Sequence, residues 1–534
     1  MVDVLVIGGG GAGLSSAIAS KELGKSVILA SKKSPTTSQT VMAQGGINAP
    51  LGEDDSIQLH IKDTLKASYK IADSIMVEKL ISNSIATIKY LEEIGVPFSR
   101  VDGAKDQLSS IARRFLGGAS RKRACYAQDY TGLKILQTLY DQAIKLGIEI
   151  EDDLFLLDLL VDNSFVAGGI FWSFNEGRVK IIQAKNVILA TGGYGAIYQI
   201  HTTNSASATG DGIAAAIRAK ARVANMEFMQ FHPTALKNSS ILISESARGE
   251  GGYLVNSDNK RFVDELAPRD IVVKAIFQEL QKGKEVFLDL RHLEEEKINS
   301  LLPQEAKLCK IYANKDLKKD LIPISPALHY TIGGVDTKRD FSVVGLKGIY
   351  CIGEASCSYV HGANRLGGNS LLEIFTFGRL VAKELKPIKK EIKDIEVIRQ
   401  KYEEKIEKIF SKNKKNSKNI FQLKKELAQI MFENFGILKE ESKMQEGLKK
   451  IINLEKEFKN LGLLDKTKGF NQELIELFEL ENSILLSKVI AKSSLWRKES
   501  RGVFLRSDFT EESKEFECSS IYLFDEVKRR EIGL

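Results

Sequence analysis

The chain opens on an apolar run, Val2–Ile7, which gives way to a glycine-rich turn, Gly8–Gly13. An apolar-faced stretch, Leu14–Leu23, and a second short run, Ser26–Ala30, follow. This order predicts strand, turn, helix, strand, a βαβ unit of the dinucleotide-binding kind. Two later apolar runs also end on glycine: Asn186–Ala190 closes on Thr191-Gly192-Gly193, and Gly348–Ile352 closes on Gly353-Glu354. Strands that each end in a glycine turn predict one doubly wound α/β domain, Rossmann-like, assembled from the distant segments 1–224 and 336–386. The segment between them, 225–335, is rich in polar and charged motif residues. It reads as an inserted α+β capping domain over a cofactor. After Pro387 the pattern becomes Lys, Glu, Leu and Ile at helical spacing, up to about Trp496. Leu423, Leu427, Ile430 and Met431 share one face there, so 387–534 reads as a helical C-terminal domain. Its short polar tail, 507–534, carries no pattern that places it.

Length and composition narrow the field. A chain of 534 residues exceeds one hydrophobic core, so roughly two to four domains are expected. The net charge of +7 sits largely in lysine-rich stretches such as Lys412–Lys418, which argues against a nucleic-acid partner. Cys125, Cys309, Cys351, Cys357 and Cys518 form neither a CxxC pair nor a His/Cys cluster, so no metal site is expected. Scattered cysteines of odd number suit reduced thiols in a cytoplasmic compartment. The chain enters a strand at Val2 with no cleavable leader, and no apolar run reaches about 18 residues. Any membrane contact is therefore expected to come through partners.

Gly8-x-Gly10-x-x-Gly13 follows a strand and opens a helix, which lets a pyrophosphate approach the free N–H groups of the helix start. The acidic residue that a plain NAD site wants after the second strand is missing, and Ser31-Lys32 stands in its place. The stretch Ser38-Gln39-Thr40-Val41-Met42-Ala43-Gln44-Gly45-Gly46 resembles the flavin-binding segment of succinate dehydrogenase and fumarate reductase flavoprotein subunits. Ala190-Thr191-Gly192-Gly193, Thr209-Gly210-Asp211-Gly212, Gly353-Glu354-Ala355 and Asn369-Ser370-Leu371-Leu372 resemble further FAD contacts of that family, in the same order. The resemblance runs from Val2 to about Asp508. It implies FAD as the cofactor. In the family's membrane-bound members a histidine bonded to the flavin stands where this chain has Gln39, whose amide cannot form that bond, so FAD is expected to be held non-covalently.

The family's substrate motifs are present as well. Phe231-His232-Pro233-Thr234, Ser244-Glu245-Ser246-Ala247-Arg248-Gly249-Glu250-Gly251-Gly252, Ala267-Pro268-Arg269-Asp270, His329-Tyr330 and His361-Gly362-Ala363-Asn364-Arg365 match them in turn. A dianionic substrate needs multi-donor cationic clamps, and Arg365 offers a planar fork. His232, Ser244 and His329 can donate to the carboxylates and polarise the double bond toward hydride attack. The resemblance implies that Arg269 delivers the proton and that Arg248 and Glu245 relay it.

One superfamily holds two substrate branches. L-aspartate oxidases, which make iminoaspartate for NAD biosynthesis, usually carry a glutamate facing the substrate ammonium, in the loop that here reads Arg114-Phe115-Leu116-Gly117-Gly118. Leu116 cannot pair with an ammonium and favours a succinate/fumarate substrate. Ala224-Asn225-Met226-Glu227, Phe287-Leu288-Asp289-Leu290 and the absent histidine are familiar from the aspartate branch, so both stay open here. With no cluster-binding cysteines of its own, a fumarate reductase subunit of this kind implies a separate iron–sulfur subunit, with the chain peripheral on the cytoplasmic face of the membrane.

Overall fold

The computed structural model describes residues 1–386, 388, 391–412 and 418–530. Pro387, where the composition shifts, and most of Lys412–Lys418 lie outside the described residues.

Val2–Ile7 is a strand whose last four residues are buried. It pairs in parallel with Val27–Ala30 on one side, Val6 facing Leu29, and with Arg178–Leu189 on the other, Val6 facing Ile188. Ile349–Cys351 adds to the far side of Arg178–Leu189 with Tyr350 opposite Ile188, so the three distant apolar runs meet in one seven-stranded sheet. Strands buried on both faces need no alternation, which is why these runs are continuously apolar.

Two differences from the sequence reading have local causes. The first helix spans Gly11–Glu22 and so begins inside the glycine turn, because Gly11 and Gly13 already form its first turn. The strand expected at Asn186–Ala190 is longer, Arg178–Leu189; its first half pairs antiparallel with Phe165–Ser173 before its second half joins the parallel strands.

The helices Gly11–Glu22 and Asn369–Glu384 cross in close contact. A Cβ at Gly378 would lie 2.7 Å from Ser15 Cβ and 3.0 Å from Ala12 O, so glycine sets how near they come.

Between the parallel strands the chain leaves through Val223–Ala224 and returns through Gly334–Asp336, which pair antiparallel. The intervening segment builds a four-stranded antiparallel sheet, in order Met229–Leu236, Ile322–Thr331, Val286–Asp289, Tyr253–Asn256, backed by the helix Arg269–Gln281. Leu236, Leu254, Ile276, Leu288 and Ile322 form a core of their own there.

In the C-terminal region Ile420–Phe435 is a helix that buries Leu423, Leu427, Ile430 and Met431 together, the face the spacing predicts. It packs with Glu441–Phe458 and the long helix Gln472–Trp496. The tail is ordered as a hairpin, Ser520–Leu523 with Glu526–Arg529, and Ser520–Leu523 pairs with Val223–Ala224. It is thus fixed at the point where the chain enters the inserted segment.

Candidate active site

One long cleft runs from the glycine turn to the floor of the inserted segment. At its first end, the helix Gly11–Glu22 starts from Gly10 with no side-chain cap, which leaves first-turn N–H groups for an anion. Gly8 sits at φ 114°, and a Cβ on Gly13 would lie 1.8 Å from Gly8 O, so both must be glycine for the turn to close. Along the walls, Ser38 Oγ, Gln44 Oε1 and Thr191 Oγ1 are buried without a partner, a pattern that calls for a polar ligand.

Lys32 also lines the cleft, but its ammonium is fully engaged. Nζ donates to Asp211 at 2.7 Å, Glu479 at 2.9 Å, Ser207 O at 2.9 Å and Thr209 Oγ1 at 2.9 Å. Burial opposes its charge, yet Asp211 and Glu479 outweigh that and raise its pKa. It therefore ties the cleft wall to the helix Gln472–Trp496. Gln39 Oε1 accepts from Ser205 N at 2.6 Å, and Ser31 Oγ donates to Lys33 O at 2.7 Å.

At the other end two buried histidines are each anchored through Nδ1. His232 Nδ1 faces the Thr234 backbone, 3.1 Å from its carbonyl oxygen and 3.2 Å from its N–H, so Thr234 fixes the ring through that nitrogen. Thr203 Oγ1 lies 2.7 Å from His329 Nδ1 and holds that ring in the same way. Burial, with Arg269 and Arg248 beside it, holds His232 well below the usual imidazole range. Burial, with His232 and Arg269 near, does the same for His329.

Arg365 lies over the Tyr330 ring, 4.2 Å from its centre, and forms no ion pair with any described residue. Its Nε is buried and unpartnered. Burial and the neighbouring Arg269 push its pKa down to about 10, which marks a cation that lacks its anion.

Arg269 opens the helix Arg269–Gln281. Its Nε and Nη2 donate to Glu245 Oε2 at 2.8 and 2.6 Å, and its Nη1 donates to Gln230 Oε1 at 3.3 Å. Glu245 Oε1 accepts from Gly117 N and lies 3.7 Å from Arg248 Nη2. Burial alone would raise the Glu245 pKa, but Arg269 and Arg248 hold it below the usual carboxylate value. Arg248, Glu245 and Arg269 therefore form one buried line whose Arg269 end opens on the cleft. Leu116 borders the same end; a Cβ on Gly45 would touch its Cδ2 at 3.7 Å, and one on Gly367 would lie 3.3 Å from its Cβ.

Of the residues singled out from the sequence, all but four line this cleft. Gly13 is tucked behind Gly8. Arg248 stands behind Glu245. Asn369 braces the wall from outside through Asn48, His60 and Thr64, and Leu372 is core.

Residues 3–371 match the FAD binding domain family, and residues 424–532 match the fumarate reductase flavoprotein C-terminal family. The succinate dehydrogenase flavoprotein subunit of Rickettsia bellii is 37% identical over 95% of this chain and 90% of its own length. The chain belongs to the succinate dehydrogenase/fumarate reductase flavoprotein subunit family. The 8-methylmenaquinol:fumarate reductase flavoprotein subunit of Wolinella succinogenes is 35% identical, over 95% of this chain and 86% of that one. A solved E. coli quinol fumarate reductase chain superposes with a TM-score of 0.94 at 32% identity, covering all of this chain and 97% of that one.

The glycine turn and the orphaned wall atoms fit the FAD of a family flavoprotein, and this chain carries that FAD-binding domain. Among the described residues no helix is long and apolar enough to cross a membrane.

The family motifs do not single out Gln230, yet it joins the two cleft arginines. Its Nε2 donates to Asn364 Oδ1 and to Arg365 O, both at 2.8 Å, while its Oε1 holds Arg269. The available signal was its place two residues before His232 on one strand, hence on the same face. Asp270, which ends the Ala267-Pro268-Arg269-Asp270 motif and has no role in the sequence reading, accepts from Tyr69 OH and, at 2.9 Å, from Asn364 Nδ2.

Proposed function

We propose that this chain interconverts fumarate and succinate as the flavoprotein subunit of a larger enzyme, with FAD held non-covalently. The observation that carries the reading is the gathering of His232, His329, Ser244, Arg269 and Arg365 on the far end of the flavin cleft, with Leu116 beside them. Bound FAD would supply or take up the hydride. Arg365 would pair with one carboxylate, and His232 and His329 would hydrogen-bond the substrate. Arg269 would give its proton to the alkene carbon next to the one that receives the hydride, with Glu245 and Arg248 restoring it.

An amino-acid substrate fits this end poorly. Glu245 already accepts from Gly117 N and from two Arg269 donors, and its single negative charge lies between Arg269 and Arg248, so it is a poor partner for a further cation such as an ammonium. Leu116 offers no polar partner. The aspartate branch is accordingly not favoured. Because Gln39 has no imidazole, FAD would be retained by the cradle alone, with the Gln39 amide oxygen already bound to Ser205 N. We further propose an iron–sulfur partner subunit and a place on the cytoplasmic side of a membrane, reached through partners; the relatives cited above are named as flavoprotein subunits, which supports an enzyme of more than one subunit.

The test uses the FAD-loaded protein without oxygen. Burying an unpaired ammonium against Leu116 costs several kcal/mol, so L-aspartate should bind at least roughly three orders of magnitude worse than succinate and leave the flavin oxidised. Succinate or fumarate should perturb the flavin spectrum. Prompt bleaching by millimolar L-aspartate would replace this reading with the oxidase one. Acid precipitation of the same sample should leave the flavin in solution; yellow colour retained by the pellet would refute the non-covalent part.

A further inference from the structure

We infer that Glu373 is the positioning residue of the substrate's carboxylate clamp, holding Arg365 aimed into the cleft through Tyr330. The inference rests on the dicarboxylate reading above and adds to it a residue that none of the cleft motifs contains.

Glu373 lies in the helix Asn369–Glu384, on the side of Tyr330 away from the cleft, and is 1% exposed. Its carboxylate is surrounded by three donors from two segments of the chain. Ser358 Oγ donates to Oε1 at 2.5 Å, His361 Nε2 lies 2.8 Å from Oε2, and Tyr330 OH donates to Oε2 at 3.3 Å. Burial alone would raise its pKa, but His361, Ser358 and Tyr330 hold it below the usual carboxylate value. Glu373 is therefore an ionised group with a full set of donors, and nothing in the proton line from Arg248 to Arg269 uses it.

Tyr330 connects it to the cleft. The hydroxyl of Tyr330 is held by Glu373 while its ring carries the Arg365 guanidinium, 4.2 Å from the ring centre. His361 meets the same ring edge-on at 5.6 Å, fixing its plane from the side. Arg365 needs this support because the neighbouring Arg269 repels it, while Glu245, which favours its charge, is already engaged by two Arg269 donors. The other carboxylate near by, Glu354, is a weak counter-ion. Burial lifts its pKa to about 7, with Glu373 adding to that rise, so at neutral pH it is partly protonated. A tyrosine hydroxyl bound to a carboxylate makes the ring face more negative, which strengthens its hold on a cation. Glu373 thus fixes where Arg365 points and does not touch the substrate.

A positioning role for the clamp has a kinetic signature distinct from that of the proton line. Glu373→Gln keeps the shape but removes the charge and one acceptor. In FAD-loaded protein with reduced viologen as donor, KM for fumarate should rise about tenfold, the worth of one hydrogen bond to a charged group, with kcat within about threefold of wild type. The dissociation constant of malonate, read from the flavin spectrum, should rise by a similar factor while FAD content is unchanged. Tyr330→Phe keeps the ring and cuts only the link, and should raise KM several-fold. The double variant should be no worse than Glu373→Gln alone, because both act through one contact.

Unchanged KM in both single variants would overturn the inference. So would a fall in kcat at constant KM, or effects that multiply in the double variant. If Glu373→Gln does not fold, Tyr330→Phe decides alone, through its KM. Wild-type protein without fumarate turnover would instead refute the dicarboxylate reading beneath it.

Discussion

Arg269 carries the largest expectation at the scale of single residues. It is the cleft-facing end of the line Arg248–Glu245–Arg269, and Gln230 holds its free nitrogen toward Arg365. Arg269→Gln should keep FAD bound and weaken malonate binding only moderately. Turnover should fall beyond the roughly 10²–10⁴-fold of a lost general acid, because the site also loses a cation beside the substrate. Viologen-coupled turnover within tenfold of wild type would assign proton delivery elsewhere. Family motifs made most cleft residues legible, since each motif brings its chemistry with it. Gln230 and Glu373 were not legible, because an amide or a carboxylate that serves another side chain has no local pattern. Its meaning exists only once strands and helices from distant segments have met.

Among secondary-structure elements, the apolar pattern served well where burial is one-sided or complete. Leu423, Leu427, Ile430 and Met431 fall on one buried face, and the runs at Val2, Asn186 and Gly348 join one sheet. It failed for the tail, because Ser520–Leu523 is recruited by the two-residue strand Val223–Ala224, some 300 positions away, and such pairings leave no local periodicity. Lys439, in the short strand Leu438–Lys439, gives a test of element stability. It is 1% exposed, and its Nζ donates to Gly436 O at 2.7 Å above the Phe504 ring. Burial, with Arg506 near, pushes its pKa down to about 7 from 10.5. The unfolded chain therefore binds more protons than the folded one between pH 7 and 10.5, and stability rises with pH across that window. Lys439→Met removes the penalty. It should stabilise the loaded protein at pH 7 or below by an amount on the order of 2 kcal/mol, after the lost hydrogen bond is counted. The gain in Tm should shrink by about pH 10, above most of the shifted range. A Tm at pH 7 equal to or below wild type would contradict this.

At the scale of the whole molecule, two parts of the chain wall the cleft and a third braces it, which explains why no single segment announces it. The glycine turn and Thr191 supply one wall, the Met229–Leu236 and Ile322–Thr331 strands bring His232 and His329, and the helix Gln472–Trp496 locks Lys32 through Glu479. Arg497, fully buried, ties Glu227 at 2.8 Å and Glu499 at 2.7 Å, so the C-terminal region also grips the entrance to the inserted segment. Hydride and proton chemistry on a dicarboxylate is the central claim, and one measurement meets it head on. FAD-loaded protein, free of oxygen, is given reduced viologen and fumarate, and succinate formation is followed. Fumarate should be reduced at a catalytic rate. On the proposal that FAD is held non-covalently, that rate should exceed succinate oxidation with an acceptor dye, because an unlinked flavin would be the better electron donor. No fumarate turnover from fully loaded protein would contradict the account.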